Sequence, residues 1–211
     1  MIAILGDIHY EFRILFRGMV SNSHKDVTVW VQVGDLGAEK KSYPDFPAPT
    51  YFISGNHENW DEIEKIDAGK GPKNLFHIKN GEMVTIEGIN ILGFGGNFSP
   101  RWYPEDSSKI PPTRRKHFLL SQYETAISHK DVDVLITHEA PSPYVRRNQD
   151  IGQYVITDLL REVKPRLHFF GHHHYSGDYI YEGIPSYGLA KGFKDFVKLD
   201  PKTFKLKRCP L

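Results

Sequence analysis

Ile2-Ala3-Ile4-Leu5-Gly6-Asp7-Ile8-His9 opens on a short apolar run and ends on a carboxylate and an imidazole, with a glycine between. An uninterrupted apolar run of this length reads as a strand buried on both faces. Glycine directly after it lets the backbone turn sharply. In α/β folds, ligands collect where strands end at their carboxyl side. The polar residues after the glycine are therefore candidates for chemistry.

An apolar strand with polar residues just past its end recurs four times. Residues 27–33 (Val-Thr-Val-Trp-Val-Gln-Val) are β-branched and aromatic, a strong strand signal, and lead into Gly34-Asp35-Leu36-Gly37. Residues 50–54 follow a proline-rich breaker and lead into Gly55-Asn56-His57-Glu58. Residues 132–137 run into His138-Glu139, and residues 166–170 into Gly171-His172-His173-His174. Further strands are expected at 2–5, 75–78, 83–86, 89–94, 178–181, 195–199 and 204–207, with turns at Asn80-Gly81 and Glu87-Gly88. Helical spacing predicts helices at 12–20, 60–66 (capped by Asn59), 121–129 and 152–163. Strands and helices alternate early and strands cluster late. That order predicts two packed sheets in an α/β sandwich, not one doubly wound sheet.

Five distant segments thus bring Asp7, His9, Asp35, Asn56, His138, His172 and His174 to one sheet edge. Carboxylate, imidazole and amide oxygen together suit divalent transition ions such as Mn, Fe or Zn. Seven donors exceed the needs of one tetrahedral zinc and match a two-ion site. Each motif alone has a plainer reading. Asp7 and His9 could mark a strand-end turn, Asp35 is an ordinary turn residue, Asn56 could cap a helix, and His138 could be a satisfied core histidine. The three consecutive histidines resist this, because burying them without a partner costs desolvation.

Composition bounds the rest. The chain has 211 residues and a formal net charge of +1, so nothing commits it as a whole to nucleic acid or an anionic membrane. Its single cysteine, Cys209, forms no intrachain disulfide and no cysteine-based zinc cluster. The expectation is one domain, 1–211, cytoplasmic, with no signal peptide and no membrane span. Residues 97–116 hold Pro100, Pro104, Pro111 and Pro112 and predict a long loop. Arg101 and the neighbouring aromatics there could contact a nucleotide or a single strand, or the aromatics could simply pin a solvated loop. Arg146, soon after His138, is a second candidate for a substrate phosphate beside the plainer reading of an exposed charge.

The five motifs, from Gly6 to His174, resemble those of the calcineurin-like metallophosphoesterase family. The resemblance implies a four-layer α/β/β/α sandwich of two mixed sheets flanked by helices. It implies that Asp7, His9, Asp35 and His174 hold one ion, and that Asp35 bridges to a second held also by Asn56, His138 and His172. His57 matches the family's free histidine, and with Asp35 is the candidate catalytic residue. His173 falls at a variable position. Two cations about 3.5–4 Å apart would lower the pKa of a bridging water and supply hydroxide near neutral pH. His57 would protonate the leaving oxygen or stabilise charge there.

The family's protein phosphatases usually carry Gly-Asp-x-x-Asp-Arg at the second motif. Here Ala38 stands at the aspartate and Glu39 at the arginine, and Tyr10 replaces a usual glycine after the first motif. This speaks against a protein phosphatase. The stretches 55–58, 93–97 and 137–141 are more weakly similar to the catalytic domain of RNA lariat debranching enzymes, which usually have cysteine at Asp7. The expectation is a hydrolase of a phosphorylated small molecule or nucleic acid, preferring a phosphodiester. The alternatives are a phosphomonoesterase and a non-catalytic scaffold of the same fold.

Overall fold

A computed structural model describes all residues, Met1–Leu211. The elements run β1 (Ile2–Leu5), α1 (Phe12–Met19), β2 (Val29–Gln32), β3 (Thr50–Phe52), α2 (Trp60–Asp67), β4 (Leu75–His77), β5 (Met83–Ile86) and β6 (Ile89–Phe94). They continue α3 (Leu120–Ser128), β7 (Val134–Thr137), β8 (Val145–Arg146), β9 (Gln149–Asp150), α4 (Tyr154–Val163), β10 (Leu167–Phe170), β11 (Gly177–Tyr181), β12 (Ile184–Gly188), β13 (Asp195–Leu199) and β14 (Leu206–Pro210).

Two mixed six-stranded sheets form, ordered β14-β13-β1-β2-β3-β4 and β11-β12-β10-β7-β6-β5. In each, four strands are parallel and the flanking ones antiparallel. Alternation along the strands explains the layers. Ile2 and Ile4 of β1 point into the core between the sheets, with Val31, Ile53, Val134, Ile136 and Phe169. Ala3 and Leu5 point the other way, into a second core with Phe12, Leu15 and Ile63 of α1 and α2. Leu92, Leu135 and Phe170 make a third core with Val155, Ile156 and Leu159 of α4. Three apolar layers between four structural ones give the α/β/β/α sandwich. Cys209 is buried in the layer beneath α1.

Register decides where the site lies. Leu5 is level with Gln32, Gln32 with Phe52, and Phe170 with Thr137. The five motif strands therefore end together. Three features differ from expectation, the first being the last strand, expected at 204–207 and found at Leu206–Pro210 after a turn in which Phe204 has a positive φ. Strand β12 was not predicted, because Ile184-Pro185-Ser186-Tyr187-Gly188 carries the two residues least suited to strands. It is tolerated since pairing to β10 begins at Ser186, past the proline. The small β8–β9 hairpin was also unpredicted; at two residues per strand it has no readable period. The segment 97–116 is a loop with short 3₁₀ turns at Ser107–Lys109 and Pro112–Arg114. Its aromatics pin it, Phe98 against Phe118 and Tyr154, and Tyr103 against Tyr123.

Candidate metal centre

The seven expected donors meet at one place, linked by a chain of short distances. Asp7 Oδ2 lies 2.9 Å from His174 Nε2, whose nearest imidazole neighbour, His9 Nε2, is also at 2.9 Å. His9 Nε2 is 3.9 Å from Asp35 Oδ2, and that same oxygen is 3.7 Å from His138 Nε2. His138 Nε2 lies 3.1 Å from Asn56 Oδ1 and 3.2 Å from His172 Nδ1. Two groups emerge, Asp7-His9-His174 and Asp35-His138-His172, with Asp35 Oδ2 facing both.

Backbone donors aim the two carboxylates. The His57 N–H donates to Asp35 Oδ1 at 2.7 Å, and the His172 N–H to Asp7 Oδ1 at 2.9 Å. In each case the second oxygen is left turned toward imidazoles. His138 Nδ1 lies 3.0 Å from the Val33 carbonyl, which can only accept. Nδ1 therefore carries the hydrogen, and Nε2 presents its lone pair to the centre.

The local backbone is strained to do this. His9, Asp35, His172 and His174 all have positive φ, between 49° and 66°. Such residues cost about 1 kcal/mol each, and cluster at functional sites. Glycine supplies what they cannot. Gly34, at φ 97°, has no room for a Cβ, which would collide with His138 Nδ1. At Gly55 a Cβ would collide with Asp35 Oδ1.

The donors fit divalent cations. Neutral imidazole nitrogens 2.9 Å apart are spaced like neighbouring ligands on one ion with bonds of about 2.1 Å. Asp7 Oδ2 is fully buried with no donor in hydrogen-bonding geometry. Asp7, Asp35, Glu58 and Glu139 are all 3% exposed or less, and none pairs with a lysine or arginine. Buried carboxylates need counter-charge. Burial raises the Asp7 carboxyl, but His174 and the neighbouring His138 bring it below its ordinary value. Burial pushes His138 down, and the Asp35 and Asp7 carboxylates overcome it, leaving it raised.

His57 is exposed and stands at the rim, its ring centroid 5.8 Å from that of His9. With His9, Gly37, Ala38 and Glu39 it lines an open cleft of about 470 Å³. Position 39 thus presents an acid to that cleft. Arg101 is exposed, with its guanidinium 4.7 Å from the Trp102 ring, and makes no hydrogen bond or ion pair with the seven donors. Arg146 is half-buried among tyrosines.

Some residues of the site carry little signal in the sequence. Glu58 is 2% exposed and accepts from Leu36 N at 2.9 Å, Gly37 N at 2.9 Å, Gly55 N at 3.2 Å and Tyr43 Oη at 2.5 Å. It ties the second motif to the third. Burial first, and Asp35 second, push its pKa up to about 7. Gln32 is fully buried, accepts from Gly34 N at 2.9 Å and donates to the Gly34 carbonyl, holding that turn. A glutamine in an otherwise apolar strand was the available hint. Glu139, His172 and His173 form a third group of donors within 4.8 Å of one another, with Glu139 also accepting from Asn97 Nδ2 at 2.9 Å.

Residues 1–176 match the family model described as calcineurin-like phosphoesterase. The chain is 26% identical over 188 residues to the human metallophosphoesterase domain-containing protein 1, covering 87% of this chain and 51% of that protein. It is 24% identical over 155 residues to the lariat debranching enzyme of Schizosaccharomyces pombe, covering 61% and 33% respectively. It thus spans about half or less of the length of these two curated relatives. The crystal structure of TT1561 of Thermus thermophilus has the same fold, with a TM-score of 0.74 at 11% identity, covering 99% of this chain and 97% of that one. A structure described as a novel archaeal phosphodiesterase matches with a TM-score of 0.52 at 12% identity, over 100% and 99%.

Proposed function

Because the chain belongs to the calcineurin-like phosphoesterase family, we propose that it hydrolyses a phosphoester, and a phosphodiester in preference to a monoester, with two divalent ions. One observation carries this reading: Asp35 Oδ2 lies within 3.9 Å of His9 Nε2 and 3.7 Å of His138 Nε2, so one oxygen serves both donor groups. Asp7, His9, His174 and Asp35 would hold one ion, and Asp35, Asn56, His138 and His172 the other, with Mn, Fe or Zn suited to this donor set. Bound there, the ions supply Lewis acidity and a nucleophile drawn from water at neutral pH.

The chain's own residues do the rest. The backbone N–H of His57 holds Asp35 in its two-sided orientation. The His57 side chain, outside the donor chain and open to the cleft, meets the leaving oxygen and delivers its proton. The open cleft leaves room for groups on both sides of phosphorus, which a diester requires. Relatives named lariat debranching enzymes and a fold neighbour named a phosphodiesterase support the diester.

The test is hydrolysis of bis-p-nitrophenyl phosphate and p-nitrophenyl phosphate by Mn-loaded protein. Turnover of the diester, abolished by chelator and by Asp35→Asn, is expected. Preference for the monoester would overturn the diester assignment, and full activity in chelator would overturn the metal.

A further inference from the structure

Arg146 is a half-buried cation with no carboxylate partner. Its Nη2 donates to Tyr144 Oη at 2.8 Å and to Tyr179 Oη at 2.9 Å. Its Cζ lies 4.7 Å from the Tyr144 ring and 4.6 Å from the Tyr175 ring. Neutral hydroxyls and aromatic faces orient a guanidinium without cancelling its charge. Nη1 makes no hydrogen bond, so part of the donor fork is unused.

The cage is joined to the centre. The Tyr144 ring stacks on His173 at 4.9 Å and 21°, and His173 lies 4.8 Å from the His172 ring. Arg146 touches none of the metal donors, so it stands beside the centre rather than in it. The cleft over His9 and His57 is lined by no lysine or arginine and contains Glu39. An anionic substrate that extends past its scissile phosphate must find its counter-charge elsewhere. The outer wall of the cage, Tyr175, is 54% exposed, which leaves ring surface for stacking.

We propose that the Arg146 cage is the receptor for a second phosphate of the substrate, and that the substrate is a single-stranded oligonucleotide. The scissile phosphate lies at the histidine centre, the neighbouring phosphate on Arg146, and a base on Tyr175. This rests on the phosphoesterase reading above.

Two measurements test it. The first is binding of a labelled oligothymidylate to the full chain, by fluorescence anisotropy across a salt series with chelator present. Arg146→Ala weakens binding about tenfold and lowers the slope of log affinity against log salt by about 0.7, one phosphate's worth. Arg146→Lys restores the slope but not the full affinity, since it keeps the charge and loses the flat fork. Tyr175→Ala, at an exposed position that leaves the fold intact, weakens binding about fivefold through lost stacking.

The second is steady-state kinetics with Mn. Arg146→Ala raises KM about tenfold for a 5′-phosphorylated dinucleotide, leaves kcat unchanged, and changes KM for bis-p-nitrophenyl phosphate less than about twofold. Unaltered strand binding in both Arg146→Ala and Tyr175→Ala would overturn the proposal. So would an equal rise in KM on both substrates. A chain that binds the strand through Arg146 but turns over neither ester would refute the phosphoesterase reading and leave the phosphate receptor standing.

Discussion

Replacing Glu58 with glutamine tests whether the two motifs it joins are held by one buried carboxylate. Its Oε1 accepts from Leu36 N and Gly55 N, and its Oε2 from Gly37 N and Tyr43 Oη. Glutamine keeps one acceptor oxygen and puts an NH₂ where the other was. That NH₂ can donate to Tyr43 after the hydroxyl rotates, but it opposes the Gly37 N–H. One charge-assisted bond is lost outright, and one buried donor is left unsatisfied. Each effect is worth about 1.5–3 kcal/mol, and local relaxation recovers part, so the expected destabilisation is about 2–4 kcal/mol. Against a total of about 5–15 kcal/mol, this is measurable by urea titration.

The same change loosens the turn that carries Asp35 against the one that carries Asn56. Loss of such outer support typically lowers metal affinity about 10–100-fold. Mn titration by calorimetry at about pH 7.5 reads this directly, a pH above the value of about 7 that burial gives Glu58. Tyr43→Phe removes one donor and leaves the backbone contacts in place, so about 1 kcal/mol and little change in Mn affinity are expected. A Glu58→Gln chain within about 0.5 kcal/mol of the parent and with its Mn affinity intact would refute the reasoning, since the four contacts would then be incidental.

His57→Ala should keep both ions by metal analysis while turnover of unactivated esters falls about 10²–10⁴-fold; unchanged turnover would remove His57 from proton delivery. Metal analysis after Mn loading should give about two ions per chain and about one in Asp35→Ala, and a firm single ion in the parent would deny Asp35 its double role. Gly55→Ala, whose Cβ would collide with Asp35 Oδ1, should lose Mn affinity even where the fold survives, as judged by circular dichroism and calorimetry together. Burial pushes the pKa of His168 down to about 3, below the ordinary 6.5. Between those values the unfolded chain takes up a proton that the folded chain refuses. The stability this residue contributes is complete above about pH 6.5 and is lost toward about pH 3, by about 1.4 kcal/mol per pH unit. His168→Gln, which keeps a polar partner for Thr137, should flatten that slope in urea titrations between about pH 4 and 6; an equal slope would place the titration elsewhere.

Strand ends and donors were legible because they rest on local rules. An apolar run followed by a metal-type side chain, across a glycine in all but the His138 motif, needs no knowledge of distant contacts, and Asp7, Asp35, Asn56, His138 and His172 all follow such runs. The helices at Phe12–Met19 and Tyr154–Val163 were legible for the same reason, since a buried stripe at helical spacing shows in sequence. Strand β12 was not, because its proline and glycine argue against a strand until its partners β10 and β11 are known. Glu58 was not legible as a clamp, because three of its four partners come from the separate loop between β2 and β3.

The sequence by itself determined which side chains stand at strand ends, since period and turn chemistry act over a few residues. Only the tertiary structure decided that the two sheets bring those ends together. Packing across their shared core sets Val33 of one sheet against His138 of the other, and that contact fixes which nitrogen faces the centre. The same packing leaves Arg146 among tyrosines instead of carboxylates, because partners from β11 and the turn after β10 reach it only once the second sheet has formed.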